Sequence, residues 1–351
     1  MANRSKTAAA FALILHAGLA AAQQPVPEAE DAYHFRYWTG AGHPADYTEW
    51  WYFNVYDSTN HLQAIFTYFV TNPANILGGG ALGIGVAQMT SVVYLGGNIV
   101  TENDRYASRT FSAAYDKADV SIAANQVGVI SPDLYQISGS SRDGRLRWAL
   151  SYQRDADSWY AANRINVGSE PWELMSWLLY MPRAQVSGTL TVDGVTYNIN
   201  APGYHDHNWG EWNLTGVPWN WAQYSQPGLA FDLGDFPVKP GGIASVSANG
   251  QRYSFTNTQY TLTHTQWAFD PQNGIYYPTQ SVFQADNGTA QVSVVMDVYQ
   301  SDPLSSGLPP PSANVVIYEQ TAHFTGQVSV HGGSSLSFAG DGFKEYTAIV
   351  P

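Results

Sequence analysis

Tight-turn dipeptides between short alternating segments constrain the fold of this chain more than any other feature of its sequence. Each dipeptide is an Asx-Gly pair flanked by runs of valine, isoleucine, threonine and aromatic residues. Such pairs favour the positive φ angles of two-residue hairpin turns, and the flanking runs favour strands. Helix signals are almost absent beyond the first 22 residues, so the sequence predicts an all-β sandwich or barrel. The pairs are Asp193-Gly194, Asn249-Gly250 and Asn287-Gly288.

The chain length and its first residues indicate how the chain is organised. A length of 351 residues predicts two domains, each with its own core. Residues 1–22 combine a short basic start, an apolar run and small residues, the pattern of a cleaved signal peptide. We place the domain boundary in the Gly/Pro/Trp-rich stretch after residue 212, which gives domains at 23–212 and 213–351. No later segment is apolar over the length of a membrane span.

The cysteine content and two glycosylation motifs indicate where the protein is located. The chain has no cysteine, so the exported protein is held by its cores without disulfides. Asn213 and Asn287 each begin an N-glycosylation sequon, which together with a signal peptide indicates a secretory or extracellular location.

Charge and aromatic content limit the classes of ligand. A formal charge of −13 disfavours nucleic acid as a partner. The chain contains 12 Trp and 23 Tyr, whose large flat faces suit a pocket for a hydrophobic or planar small molecule. An aromatic-rich β core without a ligand is the alternative explanation.

A dense polar motif at 203–212 is the first candidate for chemistry. On a strand, His205 and His207 point to one face and Asp206 to the other. With Glu211 the pattern resembles the first metal motif of cupins. The second cupin motif has a glycine, then Pro-x-Gly, then a histidine three residues later. Gly234, Pro240 and Gly242 match this pattern, but Ser245 occupies the histidine position. We therefore expect no metal, and hydrogen bonding that ties strand ends together. The motif residues are Tyr204, His205, Asp206, His207, Asn208 and Trp209.

Two further clusters carry an isolated charge among aromatic residues. In EWWYF at 49–53, alternation places Glu49 on the same face as Trp51 and Phe53, where burial would raise the pKa of the carboxyl. In GDGFKEY at 340–346, Lys344 faces away from Phe343 and could donate to a substrate carbonyl. A solvated glutamate and a surface lysine are the alternatives. No G-x-S-x-G motif indicates a serine hydrolase, and no acid pair stands out for a glycosidase, although secretion and aromatic residues suit sugar substrates.

Four strings in this order, EWWYF, MPRAQVSG, GYHDHNWG and GDGFKEY, resemble the hydroxyneurosporene synthase (carotenoid 1,2-hydratase) superfamily with its AttH-like, lipocalin-related fold. Within it they are most similar to fungal Diels–Alderases that form decalin rings. The resemblance covers most of residues 33–346. It implies an N-terminal β-sandwich-like domain at 23–212, a C-terminal β-barrel at 213–351, a substrate pocket between them, no cofactor, and a monomer or homodimer.

The resemblance also implies site residues. The glutamate of the WWYF strand and the lysine of the last strand map by motif position, and a tyrosine on the following strand maps by neighbourhood. These give Lys344, Glu49 and Tyr68 as catalytic residues. Trp219 and Trp221 are alternative matches for the one tryptophan that follows the GYHDHNWG string and lines the pocket. The substrate-binding residues are then Trp51, Tyr180, Trp219 and Trp221.

The sequence therefore predicts a cofactor-independent pericyclase acting on a hydrophobic polyene. The pocket would select one folded conformer, and Lys344 would polarise a dienophile carbonyl. One alternative is a hydratase or isomerase, in which Asp206 or Glu49 protonates an alkene. The other is a lipocalin-like carrier that returns its ligand unchanged.

Overall fold

The computed structural model describes residues 25–38, 42–237, 241–305 and 314–350. The predicted signal peptide at 1–22 and Pro240 of the cupin-like pattern lie outside the described residues. Helical structure in the described part is limited to four 3₁₀ turns, Glu28–Asp31, Phe35–Tyr37, Pro44–Asp46 and Ser108–Thr110. No helix in this part has the length and apolar character that a membrane crossing requires.

The first sheet contains twelve strands in the order β4-β3-β2-β1-β12-β11-β9-β8-β7-β6-β5, with β10 beside β11. Every pairing is antiparallel, as expected when most connections are hairpins. Its strands are β1 (Tyr47–Asp57), β2 (Leu62–Thr71), β3 (Val86–Leu95), β4 (Asn98–Ala107), β5 (Phe111–Ala113), β6 (Val120–Ile122), β7 (Asn125–Ser131), β8 (Leu134–Ser140), β9 (Leu146–Arg154), β10 (Trp159–Asn166), β11 (Leu174–Val192) and β12 (Val195–Glu211).

The second sheet contains nine strands in the order β16-β15-β14-β13-β21-β20-β19-β18-β17. One sheet nearly closes into a barrel and the other forms a half-barrel, so the chain is all-β with two lipocalin-like domains. The strands are β13 (Asn220–Gln226), β14 (Leu229–Phe236), β15 (Gly241–Ala248), β16 (Gln251–Thr256), β17 (Tyr260–Asp270), β18 (Ile275–Asp286), β19 (Ala290–Ser305), β20 (Asn314–Val330) and β21 (Ser335–Val350).

The turn dipeptides lie where the sequence predicts them. Asp193 and Gly194 have φ angles of 47° and 83° between β11 and β12. Asn249 and Gly250 have φ angles of 52° and 79° between β15 and β16. Both residues of these two pairs thus have the positive φ that a type I′ turn requires, and the prediction is confirmed for them. Asn287-Gly288 also joins two paired strands, β18 and β19, but the connection has three residues and, of this pair, only Gly288 has a positive φ, of 80°.

Apolar side chains form three clusters, one inside each domain and one between the domains. On β1, Trp51 and Phe53 point into the first domain, while Trp50 and Tyr52 belong to the cluster between the domains. The paired strands β1 and β12 form a wall between the two domains. Because side chains alternate along each strand, both faces of this wall are buried. Across the interface, the Tyr94 hydroxyl donates to the Glu319 carbonyl at 2.7 Å.

Candidate functional site

Two adjoining cavities lie between the domains. Their volumes are about 50 Å³ and about 140 Å³, and both are bordered by Trp50, Tyr52, Trp219 and Glu345. The smaller cavity has an aromatic wall and, among the described residues, no lysine or arginine. That wall consists of Trp50, Tyr52, Trp177, Trp212, Trp219, Trp221 and Phe236.

Two glutamates from neighbouring strands face this space. Glu345 on β21 and Glu319 on β20 are directly paired in the sheet. Trp219 Nε1 donates to Glu345 Oε2 at 2.6 Å. Glu345 is partly buried, and removal of its carboxyl from water raises its pKa to about 7. Burial, followed by the charge of Glu345, raises the pKa of Glu319 well above its ordinary value.

Asp206 of β12 supplies a third carboxyl on the first-domain side of the smaller cavity. Its Oδ2 accepts hydrogen bonds from the Tyr204 hydroxyl at 2.7 Å and from Trp177 Nε1 at 2.8 Å. Burial outweighs these hydrogen bonds and raises the Asp206 pKa to about 6. Nearby Asp232 is wholly buried, and burial followed by the charge of Asp206 raises its pKa strongly.

The smaller cavity therefore combines aromatic faces with two carboxyl groups of raised pKa, Glu345 at about 7 and Asp206 at about 6, so that Glu345 keeps part of its proton at neutral pH. A neutral carboxyl can donate a proton to a bound substrate, which an ionised surface carboxylate cannot do. The aromatic faces can stabilise a positive charge that forms on that substrate.

The predicted site residues divide among three locations. Trp219 borders both cavities, and Trp221 lines the smaller one. Lys344 lies on the opposite face of β21 from Glu345, buried in the second domain, where its Nζ donates to Gln320 Oε1 at 3.0 Å. Burial lowers the Lys344 pKa to about 7.

The other predicted residues, Glu49, Trp51, Tyr68 and Tyr180, lie in the first domain. The Tyr68 hydroxyl donates to the Gln126 carbonyl at 3.0 Å, and the Tyr180 hydroxyl donates to the Pro132 carbonyl at 2.8 Å. Trp51 Nε1 donates to the Asp31 carbonyl at 2.9 Å. The structure thus does not bring Glu49, Tyr68 and Lys344 together around one cavity, and their catalytic roles stay predictions.

The histidine motif is split between the two faces of β12. His205, His207 and Trp209 point into the first domain, whereas Tyr204, Asp206 and Asn208 point toward the second. Inside the first domain, His205 Nε2 lies 3.0 Å from Asp31 Oδ2. His207 Nε2 lies 2.8 Å from Glu49 Oε1 and His207 Nδ1 lies 3.2 Å from Asp31 Oδ1.

These contacts set the charges inside the first domain. Burial acts to raise the Asp31 pKa, but the charge and hydrogen bond of His205, together with those of His207, lower it to about 2. Burial likewise opposes ionisation of Glu49, yet hydrogen bonds from His207 and His34 lower the Glu49 pKa. Burial acts to lower the pKa of His207, but its hydrogen bonds with Asp31 and Glu49 and the charges of these carboxylates raise it.

The cupin-like pattern does not assemble. Glu211 accepts from the His43 backbone N–H at 3.2 Å, and Ser245, on β15 of the second domain, accepts from Trp159 Nε1 at 3.0 Å. A different trio, His34, Glu49 and His207, has donor atoms within 4.8 Å of one another.

Local sequence does not single out most of the interdomain acids and aromatic residues. Trp50 and Tyr52 lie on the face of β1 opposite Glu49, and the motif there favours the face of Glu49. The motif at 340–346 likewise favours Lys344 over its neighbour Glu345. The alternation of side chains along each strand is the signal that could indicate these residues, because it shows that either face of a strand can border the cavity.

Comparison with solved structures shows the fold. An AttH-like protein from Nitrosomonas europaea aligns with a TM-score of 0.69 at 16% identity, covering 89% of this chain and 95% of the other. The chain has the AttH-like, lipocalin-related fold. Kievitone hydratase from Nectria haematococca aligns at 0.62 with 18% identity, covering 93% of each chain. CghA, in its structure with Sch210972, aligns at 0.53 with 10% identity, covering 88% of this chain and 89% of the other.

The resemblance recognised in the sequence motifs is thereby confirmed at the level of the AttH-like fold. No protein-family model matches the sequence, and no curated protein matches it at the significance required.

The raised carboxyl pKa values predict that stability falls as pH rises. Glu345 has a pKa of about 7 when folded against an ordinary 4.5, and Asp206 about 6 against 3.8. A folded pKa above the unfolded one contributes stability that is fully present below the unfolded pKa and is lost as pH rises through the folded pKa. We expect the urea midpoint, followed by tryptophan fluorescence, to fall between about pH 4 and about pH 7.

Glu345→Gln should remove the Glu345 share of this dependence. The exposed Glu170→Gln should retain the dependence of the unmodified chain and serves as the matched control. A difference in stability between the unmodified chain and Glu345→Gln that stays constant with pH would contradict the raised pKa of Glu345.

Proposed function

We propose that this chain is an enzyme that hydrates a hydrophobic alkene in the cavity between its domains. The observation that carries the proposal is the Glu345 carboxyl, which borders an aromatic-walled cavity and has a pKa of about 7. The likeness to kievitone hydratase over 93% of both chains supports the same reaction class.

The first step is proton transfer from the Glu345 carboxyl to one alkene carbon. The π electrons form the new C–H bond, and the other carbon becomes a carbocation. Trp219 Nε1 donates to Glu345 Oε2 and can stabilise the carboxylate that remains. The tryptophan faces of the cavity wall stabilise the carbocation by cation–π interaction.

In the second step a water oxygen bonds to the carbocation, and the proton that this water releases restores the acid. Glu345 in its ionised form can accept that proton. Asp206 borders the same cavity and can orient the water. The net reaction adds one water across the double bond and regenerates the enzyme.

A pericyclase is the second candidate, and the aromatic lining of the cavity favours it. A walled cavity can hold a polyene in a reactive conformer, which provides up to roughly 7–11 kcal/mol in the best intramolecular cases. The sequence motifs support this candidate through their resemblance to fungal Diels–Alderases. In such a reaction Trp219 and Trp221 would shape the bound substrate.

Isotope labelling separates these functions. We expect kievitone, or another hydrophobic alkene from a test panel, to gain the mass of one water and, in D₂O, one carbon-bound deuterium detectable by NMR. A product of unchanged formula without carbon-bound deuterium would support the pericyclase and contradict hydration. Tight binding with return of unchanged ligand across the panel would support the carrier function.

Neighbouring substitutions on β21 test which face of the strand meets substrate. Glu345→Gln removes the proton donor and should lower kcat by roughly 10²–10⁴-fold, with a smaller change in KM. Lys344→Met alters the opposite face and should cause a smaller loss, while the exposed Glu170→Gln should leave kcat unchanged. Folding of each variant is checked by circular dichroism. A larger kcat loss in Lys344→Met would support the role predicted for Lys344 from the resemblance.

We also propose that the chain is secreted and glycosylated. Asn213 is exposed in the connection between the two sheets, and its Oδ1 accepts from the Thr215 hydroxyl at 2.9 Å. Asn287 is partly buried, and its Nδ2 donates to the Ser254 carbonyl at 3.0 Å. In a eukaryotic secretory host, Asn213→Gln should remove one endoglycosidase-sensitive glycan, and Asn287→Gln should have a smaller effect. Equal gel mobility of Asn213→Gln and the unmodified chain would contradict modification at Asn213.

A further inference from the structure

A buried ion cluster joins the N-terminal segment 25–38 to the wall of the first domain. Asp31 and His34 come from that segment, Glu49 from β1, and His205 and His207 from β12. Asp31, Glu49, His205 and His207 are buried, and the His34 side chain is 17% exposed. The cluster lies inside the first domain, on the face of β1 and β12 opposite the interdomain cavity.

The cluster holds two carboxylates, and within the described residues their ion pairs are all with histidines. Asp31 pairs with His205 and His207, and Glu49 pairs with His34 and His207. Buried carboxylates need positive charge nearby, and arginine or lysine is the usual source. Here the positive charge must come from protonated imidazoles or from a bound cation.

We propose that His34, Glu49 and His207 bind one divalent transition-metal ion, with Zn²⁺ as the best match. Two nitrogen ligands and one carboxylate oxygen form a donor set that zinc prefers. The donor atoms are His34 Nδ1, His207 Nε2 and Glu49 Oε1, all within 4.8 Å of one another.

The distances between these donor atoms suit a zinc ion. Ligands about 2.1 Å from zinc at tetrahedral angles are about 3.4 Å apart. Glu49 Oε1 lies 3.3 Å from His34 Nδ1 and 2.8 Å from His207 Nε2. The first of these distances matches a zinc site, and the second is about half an ångström shorter, so His207 would move away from Glu49 on binding zinc.

The surrounding groups orient the three ligands. His207 Nδ1 lies 3.2 Å from Asp31 Oδ1, so a carboxylate is close to the ring nitrogen that the metal would not use. The His34 ring stacks on Trp209 with centroids 3.7 Å apart, and the His207 ring stacks on Trp51 at 4.4 Å. The Glu49 carboxylate is held in place by the Tyr47 hydroxyl, which donates to Oε2, and by the His34 backbone N–H, which lies 3.0 Å from Oε1.

Metal binding replaces the shared protons of the His34–Glu49 and His207–Glu49 contacts and releases them to solvent, with no change in oxidation state. The ion would tie the N-terminal segment to β1 and β12. Its role would be to stabilise the first domain, so the inference differs from the expectation from sequence that the chain has no metal, and it does not depend on the proposed hydration reaction.

The test uses the full mature chain without a histidine tag. After dialysis against a chelator, the chain is titrated with Zn²⁺ by calorimetry and with Co²⁺ by visible absorption, and Tm is recorded with each metal. We expect one equivalent per chain, a rise in Tm, and a Co²⁺ spectrum typical of mixed nitrogen and oxygen ligation, with a water molecule as the fourth ligand beside the three side chains.

His34→Gln is the informative variant, because it removes a ligand on the partly exposed edge of the cluster. It should weaken Zn²⁺ binding at least about tenfold, the low end of losses seen for groups that only support a ligand. His331→Gln is the matched control, since His331 is exposed and pairs with Asp286 away from the cluster. It should keep the affinity and Tm rise of the unmodified chain.

Two outcomes would overturn the proposal. One is the absence of a stoichiometric Zn²⁺ site in the unmodified chain, which would leave the cluster as a network of ion pairs. The other is equal Zn²⁺ affinity in folded His34→Gln and His331→Gln. If His34→Gln fails to fold, the decisive reading is whether chelation lowers the Tm of the unmodified chain and Zn²⁺ restores it; an unchanged Tm would contradict the proposal.

Discussion

The antiparallel pairing of β1 with β12 forms a wall that both domains share, and the rest of the structure depends on it. The pairing aligns Glu49 with Trp209 and Trp51 with His207, so both strands send alternate side chains to the same face. Each face is buried, one by the first domain and one by the second. A shift of this register by one residue would exchange the two faces and expose each set of polar groups to the wrong surroundings.

Carboxyl groups on the two sides of this wall have pKa values shifted in opposite directions. Inside the first domain, imidazoles face Asp31 and Glu49, and the pKa of each carboxyl is lowered. Between the domains, Asp206 and Glu345 lack cationic partners strong enough to offset burial, and their pKa values rise to about 6 and about 7. Ionised groups suit structural pairing, whereas neutral acids beside an aromatic cavity suit proton donation.

The fold brings these acids together from distant parts of the chain. Asp206 belongs to the first sheet, and Glu319 and Glu345 belong to the second. Trp219, which donates to Glu345, precedes it by 126 residues. A cavity between two β domains thus obtains its chemistry from both sheets, while each domain keeps its own apolar core.

Local sequence determined the all-β class and the hairpins at Asp193-Gly194 and Asn249-Gly250. It also determined that His207 and Asp206 point to opposite faces of their strand. Turn dihedral angles and strand alternation depend on neighbouring residues, so local sequence is sufficient to specify them. Its motifs also indicated the AttH-like fold. Tertiary structure alone decided that Glu345 and not Lys344 borders the cavity, and that Glu49 meets His207 and His34. Which face of a strand meets the cavity, and which charges approach a carboxyl, depend on contacts between distant segments, and local sequence does not specify these contacts.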